Sequence, residues 1–260
     1  MNDRAWIATR KGLFEMRARD GGWQIERVSF LGEPVSMVLP PGPDGFMLAA
    51  LNLGHFGVKV HASQDAGATW TEVATPAYPV QPEGAGGVPW KLVQIWSLAM
   101  RGETIWAGTL PGGLFRSADR GQSWQLVDAL WTRPERAEWF GGGYDVPGIH
   151  SICPHPQRDG ELLVGISCGG AWVTRDDGAN WAVQSEGMRA DFMPPERAGD
   201  PNIQDPHSIV RCEAQPDVLW CQHHCGIWRS IDNAASWQHV TNAPVSAFGF
   251  AVAVHPRHAD

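Results

Sequence analysis

The chain has 260 residues, enough for one large domain, and its hydrophobic content of 43% is ordinary for a globular protein. Its formal net charge of −8 argues against nucleic acid and anionic membrane as partners, because both attract basic surfaces. The N-terminus carries no apolar signal-peptide region, and no run of about 18 apolar residues predicts a membrane span. With the five cysteines expected to be reduced thiols, these features predict a cytoplasmic protein.

The first predicted elements are strands near the N-terminus. The stretch Trp6–Glu15 is similar to Trp106–Arg116, which lies about 100 residues further along the chain. A similarity at that distance indicates one repeated unit rather than two unrelated strands. It predicts a degenerate repeat at the N-terminus that begins at its second strand.

A more regular pattern follows, of the form Ser-x-Asp-x-Gly-x-Ser/Thr-Trp. Two copies are complete and two are degraded: Ser63–Trp70, Ser117–Trp124, Thr174–Trp181 and Ser230–Trp237. Their Asp residues lie 54, 57 and 56 residues apart, a period that indicates repeated supersecondary units. Each copy predicts a tight turn between two strands, in which the Asp accepts backbone N–H groups and the Gly adopts a positive φ. The Trp then packs on a neighbouring sheet.

A short apolar run precedes each turn by about 20–30 residues and predicts the first strand of a unit. The runs are Val35–Met37, Trp96–Leu98, His150–Ile152 and His207–Ile209, with Phe250–Val252 in the same place at the C-terminus. Each full unit then has four strands. They are predicted near 95–100, 104–109, 113–117 and 124–128 in the third unit, and near 149–153, 161–166, 170–174 and 181–184 in the fourth. Four-stranded antiparallel units at regular spacing are typical of β-propeller blades.

The repeated turn resembles the Asp-box, or BNR repeat, of sialidase-like β-propellers, and the resemblance covers the repeats across nearly the whole chain. It implies a single all-β domain, 1–260, built of four-stranded antiparallel blades. It also implies that the turns are structural and lie away from the active site. No catalytic residue transfers from it: the early Phe/Tyr-Arg-Ile-Pro motif of sialidases is missing, and only Tyr78 and Tyr144 are available as tyrosine nucleophiles.

Two interpretations of the blade number stay open. The chain begins where a second strand is expected and ends just after a first strand. The C-terminal strand at Phe250–Val252 can therefore complete the N-terminal blade and close a propeller of about five blades. The alternative is a truncated larger propeller.

Three long connections, 74–94, 129–148 and 185–206, join the last strand of one blade to the first strand of the next, so they meet at one rim of the channel. Two first strands enter the channel there through a histidine that follows an aspartate. A His–carboxylate pair is typical of general acid–base catalysis. The predicted catalytic residues are Asp145, His150, Asp205 and His207, and the predicted substrate-binding residues are Tyr144, Trp139, His223 and His224.

Three imidazoles near a carboxylate also fit zinc or another divalent metal, with His150, His207 and His223 as the candidate ligands. Structural roles fit the same residues, since Asp-Pro sequences build turns and a polar channel mouth can be filled by hydrogen bonds. Trp90, Trp131 and Trp139 lie on the long loops, where they can stack on sugar rings or cap the channel.

These observations lead to two hypotheses for function. The first is a glycoside-hydrolase-like or other small-molecule hydrolase that uses the His/Asp cluster on a small molecule or glycan at the channel mouth. The second is a non-catalytic propeller scaffold that binds a protein, peptide or glycan. The concentration of His and Asp at one rim favours the first hypothesis, and the absence of an intact sialidase set favours the second.

Overall fold

The structure is a computed structural model that describes residues 3–243 and 246–259. Within these ranges the chain forms five antiparallel sheets that follow one another as the blades of a five-bladed β-propeller. The first sheet has three strands, Arg4–Thr9 (β1), Gly12–Arg19 (β2) and Gly22–Ser29 (β3). No helix in the described ranges is long and apolar enough to cross a membrane.

The other four sheets have four strands each. The second sheet contains Val35–Leu39 (β4), Met47–Asn52 (β5), Val58–Ser63 (β6) and Thr71–Val73 (β7). The third contains Gln94–Arg101 (β8), Thr104–Leu110 (β9), Leu114–Ser117 (β10) and Gln125–Leu126 (β11). The fourth contains Ile149–Pro154 (β12), Leu162–Ile166 (β13), Gly170–Thr174 (β14) and Ala182–Val183 (β15). The fifth contains Pro206–Arg211 (β16), Leu219–His223 (β17), Gly226–Ser230 (β18) and Gln238–His239 (β19).

The strands predicted for the third and fourth units are confirmed, although the outermost strand of each unit is shorter than expected. In the part of the chain that the structure describes, helical structure is limited to short turns. The α-helix α1 covers Asp128–Trp131, and 3₁₀ turns cover Gly54–Phe56, Pro134–Glu138 and Pro201–Ile203. Except for Gly54–Phe56, these turns lie in the long loops that cross from one blade to the next.

Apolar side chains fill the space between neighbouring sheets because successive residues of a strand point to opposite faces. In β9, Ile105 and Ala107 pack with the second sheet, while Trp106 packs with the fourth. Strand β13 is buried along its whole length, which explains why Leu162–Ile166 reads as a continuous apolar run. Successive side chains of these strands therefore alternate between two neighbouring sheets, although the sequence does not alternate between apolar and polar residues.

The repeated turns join the third strand of each blade to the fourth, as predicted. Asp119 Oδ1 accepts hydrogen bonds from the Ser123 N–H at 2.9 Å and the Ser117 hydroxyl at 2.8 Å, and Oδ2 accepts one from the Ser123 hydroxyl at 2.5 Å. The Ser117 oxygen accepts from the N–H of Gly121, whose φ of 83° suits a residue without a Cβ. The same bonds recur at Asp65, Asp176 and Asp232. Each turn is thus closed by its own side chains.

The tryptophan at the end of the turn ties its sheet to the preceding one in three of the four copies. Trp124 Nε1 donates to the Ala74 carbonyl at 2.9 Å, Trp237 Nε1 to the Gln184 carbonyl at 2.9 Å, and Trp70 Nε1 to Ser29 Oγ at 3.1 Å. Trp181 instead donates to Gly178 in its own turn. The expected packing of the Trp on a neighbouring sheet is confirmed at these three positions.

The first strands of the second to fifth sheets are innermost, since β4 contacts β8, β8 contacts β12 and β12 contacts β16. Each of them has a bulge at the same repeat position, and the bulged residues are Ser36, Trp96, His150 and His207. The sequence alignment had placed Val35 in this slot, which is wrong by one residue. A bulge re-aims the side chain it carries, and here it sets the direction of the two histidines.

The C-terminal segment 246–259 does not form the strand that was expected to complete the N-terminal blade. Among the described residues, the segment has only a single bridge, between His255 and His258, and the first sheet keeps its three strands. Phe250–Val252 is therefore not the inner strand of that blade.

The segment lies against the fifth sheet instead. Ala214 N donates to the Pro256 carbonyl at 2.9 Å, and Trp220 Nε1 donates to the Ala259 carbonyl at 2.8 Å. Ala259 also joins an apolar cluster with Cys212 and Val218. These donors and this apolar face are what hold the segment on the fifth blade.

Candidate functional site

The predicted rim contains an open cleft of about 380 Å³ between the fourth and fifth blades, here called the histidine cleft. Its apolar lining comes from the interblade loops and the C-terminal segment. Its polar lining comes mainly from the start of β16 and the turn after β17. The lining residues are Phe140, Gly141, Gly142, Gly143, Cys168, Phe192, Asp205, His207, His224, Phe248 and Phe250.

Asp205 is the buried centre of this floor, with 2% of its surface exposed. Its Oδ1 accepts a hydrogen bond from the Cys168 N–H at 3.0 Å, which orients the carboxylate. Its Oδ2 lies 3.4 Å from His207 Nε2 and 3.5 Å from His224 Nδ1. One carboxylate oxygen is therefore committed to the protein backbone, while the other faces two imidazole nitrogens.

His207 is held in one orientation by its other ring nitrogen. Nδ1 lies 2.7 Å from the Gly249 carbonyl oxygen, and since a carbonyl only accepts, Nδ1 must carry the proton. The ring also stacks on Phe250 with centroids 4.8 Å apart and an interplanar angle of 13°. In the neutral imidazole, Nε2 then carries a lone pair that faces the Asp205 carboxylate.

His224 completes a group of three that could hold a metal ion, here called the His–Asp cluster. The ligand atoms of Asp205, His207 and His224 all lie within 4.8 Å of one another. His224 is 44% exposed at its side chain, so the cluster opens to solvent on this side. Its ring meets Phe192 and Phe248 edge-on, at centroid distances of 5.1 and 5.5 Å.

The charges in the cluster stabilise each other. Burial disfavours a charge on His207, but the Asp205 carboxylate and the Gly249 carbonyl outweigh it and raise the pKa of the imidazole above its usual value. Burial also opposes ionisation of Asp205, yet His207 and the Cys168 N–H hold the pKa of this carboxyl below its usual value. The cluster therefore favours a cation between Nε2 and the carboxylate.

The other predicted histidines do not join the cluster. His223 is fully buried, and its two ring nitrogens face the N–H groups of Asp205 and Cys225 at 2.9 and 3.0 Å. His150 bonds through Nδ1 to Ser151 Oγ at 2.8 Å, its Nε2 is buried without a partner, and burial lowers its pKa to about 4. Both rings are neutral supports beneath the rim.

The predicted residues of the loop 129–148 also lie outside the cluster. Asp145 is exposed. Tyr144 rests on Trp96, with ring centroids 5.2 Å apart. Trp139 is 5% exposed and donates through Nε1 to Asn202 Oδ1 at 2.9 Å, so its ring belongs to the protein interior. The second candidate tyrosine, Tyr78, is half-buried with its hydroxyl 2.5 Å from Thr109 Oγ1, and desolvation of the hydroxyl raises its pKa to about 12.

Sequence reasoning missed the aromatic wall of the cleft. Phe192, Phe248 and Phe250 are 41%, 54% and 70% exposed, which is unusual for three neighbouring large apolar side chains. Phe250 was predicted to lie in an inner strand, and Phe192 belongs to the long rim loop 185–206, in which the sequence analysis singled out no phenylalanine. The closely spaced pair Phe248 and Phe250, separated by one glycine, was the signal available in the sequence.

The chain matches no protein-family model and no curated protein. Solved structures are similar to it in fold, at low sequence identity. An ancestral GH74 enzyme has a TM-score of 0.59 and 15% identity over 86% of this chain and 26% of its own. The GH74 xyloglucanase from Xanthomonas campestris has a TM-score of 0.52 and 16% identity over 93% of this chain and 44% of its own. The extracellular domain of a putative one-component system from B. thetaiotaomicron has a TM-score of 0.57 and 13% identity over 93% of this chain and 27% of its own.

The chain thus spans less than half the length of each of these structures. The identities are low, so the likeness concerns the fold alone. The neighbours are β-propeller proteins, and in its architecture this chain is similar to them.

Proposed function

We propose that the chain is a metal-dependent hydrolase of small molecules or glycans, with the His–Asp cluster as its centre. One observation carries the proposal: His207 Nε2 faces the Asp205 carboxylate across 3.4 Å, and in the neutral imidazole this atom carries a lone pair because Nδ1 holds the proton. Two acceptors repel at that distance unless a proton or a metal cation lies between them. A proton would draw the atoms to about 2.7–2.9 Å, as in charge-assisted hydrogen bonds.

The spacing of the cluster supports a metal cation. Ligands at about 2.0–2.1 Å around a tetrahedral zinc lie about 3.3–3.4 Å apart. Asp205 Oδ2 stands 3.4 and 3.5 Å from the two imidazole nitrogens, close to that value. The Gly249 carbonyl and the Cys168 N–H orient His207 and Asp205 from behind, as supporting groups do in metal sites. Two imidazoles and one carboxylate leave a coordination position open.

A bound zinc ion would lower the pKa of a coordinated water towards about 7 and so supply a nucleophile at neutral pH. The residues of the chain have the other tasks: the cluster holds the ion, and the phenylalanine wall packs on the substrate and limits its exposure to water. Glycosidases with two carboxylates use a pair of acids about 5–9.5 Å apart. Asp205 is the single carboxylic acid among the described residues that line the cleft, which favours metal-assisted hydrolysis.

Metal binding by the purified, chelator-treated protein tests the proposal. We expect Zn²⁺ to bind at one site by titration calorimetry, and Co²⁺ to give the visible absorption of a low-coordinate site. His224→Ala should weaken binding at least about tenfold. His55→Ala is the matched control, since His55 is an exposed histidine on the same rim outside the cluster. Hydrolysis of a panel of ester and glycoside substrates should then require the metal and the cluster.

Binding without hydrolysis of any substrate would remove the catalytic part of the proposal. Failure of Zn²⁺ and Co²⁺ to bind, or equal binding by wild type and His224→Ala, would remove the metal site. Affinity should also fall as pH drops through the raised pKa of His207, because a proton competes with the metal for Nε2.

A second function is favoured by the exposed Phe192, Phe248 and Phe250. In this alternative the chain is a non-catalytic propeller that binds a protein, peptide or glycan in the histidine cleft. The repeated turns support membership of the sialidase-like Asp-box class under either function, because their side-chain bonds are uniform. A cytoplasmic location remains a prediction, compatible with five free cysteines, four of them buried.

A further inference from the structure

A second cleft, of about 510 Å³, lies on the same rim between the loops 74–94 and 129–148. We call it the arginine cleft. Its walls include Gly87, Trp90, Trp131, Arg136 and Pro147. An added Cβ at Gly87 would meet nothing within 4 Å, so the wall on this side is open.

The charged residues that neighbour Arg136 on the loop 129–148 are paired with other residues. Arg133 pairs with Glu135, and its Nε donates to Glu135 Oε2 at 3.0 Å. Glu138 is used by Arg197, whose Nη2 lies 2.7 Å from Glu138 Oε2. No carboxylate among the described residues pairs with Arg136, which therefore brings an uncompensated positive charge to the cleft.

Arg136 is nevertheless held in place. Its guanidinium carbon lies over the ring of Trp131, 3.3 Å from the ring centroid, and Trp131 is 4% exposed, so the guanidinium rests on a buried ring. Trp90 meets the same ring edge-on, with centroids 5.3 Å apart. The Arg136 Nε and the Trp131 Nε1 are buried donors without hydrogen-bond partners in the described structure. Because these two atoms are buried, they add to the uncompensated polarity of the stack, while Arg136 itself lines the cleft, where an anion can reach it.

Burial lowers the pKa of Arg136 from its usual value, the direction expected of a cation that lacks an anion. Arginine stays charged in proteins, so the chain does not relieve the desolvation of this cation by losing a proton. The free energy of desolvation therefore destabilises the folded state. A bound anion would offset this destabilisation.

We propose that the arginine cleft binds a ligand with a carboxylate attached to a ring. The carboxylate pairs with the planar fork of Arg136, and the face of the ring packs on Trp90. This site is separate from the His–Asp cluster and does not depend on the metal or on hydrolysis. The ring has two chemical sources, a sugar acid or an aromatic acid, which share this recognition.

Glucuronate and benzoate are the probes for the two sources, with glucose and benzyl alcohol as their uncharged counterparts. Binding is measured by ligand-observed NMR and titration calorimetry, and a decrease in affinity with added NaCl is expected for an ion pair. At least one of the two acids should bind, and its uncharged counterpart should bind at least about tenfold more weakly. The acid that binds shows whether the ring of the ligand is a sugar or an aromatic ring.

Variants separate binding from stability. Arg136→Gln should reduce affinity at least about tenfold, and Arg136→Lys should recover only part of it, because an ammonium lacks the bidentate fork. Arg133→Gln is the matched control, since it lies on the same wall but already has a carboxylate partner, and it should leave affinity within about twofold. Thermal unfolding of each variant shows whether it is folded.

Three results would overturn the proposal. They are the absence of binding of both acids to the wild type, equal affinity for acids and uncharged counterparts, and equal affinity of wild type and folded Arg136→Gln. In the last case the Arg136–Trp131 stack serves only to hold the loop.

Discussion

At the residue scale, the repeated turns depend on one carboxylate each. Asp119 receives hydrogen bonds from the Ser123 hydroxyl, the Ser123 N–H and the Ser117 hydroxyl, and these lower its pKa to about 2 from 3.8. The depressed pKa means that the turn is stabilised above the ordinary pKa and loses this stabilisation as pH falls towards 2. Asp119→Ala should lower Tm at neutral pH, and Asp119→Asn should lower it less, because the amide oxygen still accepts. If Asp119→Ala melts like the wild type, the turn bonds are not stabilising.

His223 provides a second residue-scale prediction, for the pH dependence of stability. Its ring is fully buried, and burial lowers its pKa to about 4 from 6.5. The unfolded chain therefore binds a proton on this residue at a higher pH than the folded chain does. Stability should fall as pH drops from about 6.5 to about 4, by up to about 1.4 kcal/mol per pH unit from this group. An NMR titration that places the His223 pKa near 6.5 would contradict the prediction.

At the element scale, the C-terminal segment serves the fifth blade and the histidine cleft together. It supplies the Gly249 carbonyl to His207 and two phenylalanines to the cleft wall, and it accepts the N–H of Ala214 through Pro256. A chain that ends at residue 243 should lose amide-exchange protection in β16 to β18 and bind zinc more weakly. Loss of protection in β1 to β3 instead would show that the segment completes the N-terminal blade in solution.

At the scale of the whole molecule, serines one residue after the bulge join neighbouring blades. Ser97 Oγ donates to the Ile149 carbonyl at 2.8 Å, and Ser151 Oγ accepts the Ile209 N–H at 2.8 Å. Both serines are buried, so removing the hydroxyl leaves a backbone group without its partner. Neighbouring blades are thus joined by specific hydrogen bonds as well as by apolar packing.

Ser97→Ala should lower the free energy of unfolding by about 1–2 kcal/mol in urea titrations. Ser36→Ala is the control, because Ser36 Oγ donates to Ala50 within its own sheet at 3.2 Å and is only half-buried. A larger loss of stability in Ser36→Ala than in Ser97→Ala would argue against the role of the bond between blades.

The sequence by itself determined the repeat, the blade and the turn. Local rules suffice there, since the side-chain bonds that close each turn lie within eight residues, and the period of the turns reveals the unit. It also predicted that side chains from separate loops meet at one rim, because long loops between last and first strands share one end of every blade. Asp205 and His207 were placed at this rim in this way, two positions apart at the end of a loop and the start of the strand that it enters.

Only the tertiary structure decided which side chains meet. His223 and His224 are adjacent in sequence, yet the turn after β17 buries the first against backbone N–H groups and leaves the second beside Asp205. Phe248 and Phe250 reach the cleft because the C-terminal segment packs on the fifth blade. Within residues 3–243 and 246–259, Arg136 has no carboxylate partner because the neighbouring carboxylates pair with other arginines. Contacts of this kind join distant parts of the chain, and a repeat pattern carries no information on which partner each side chain finds.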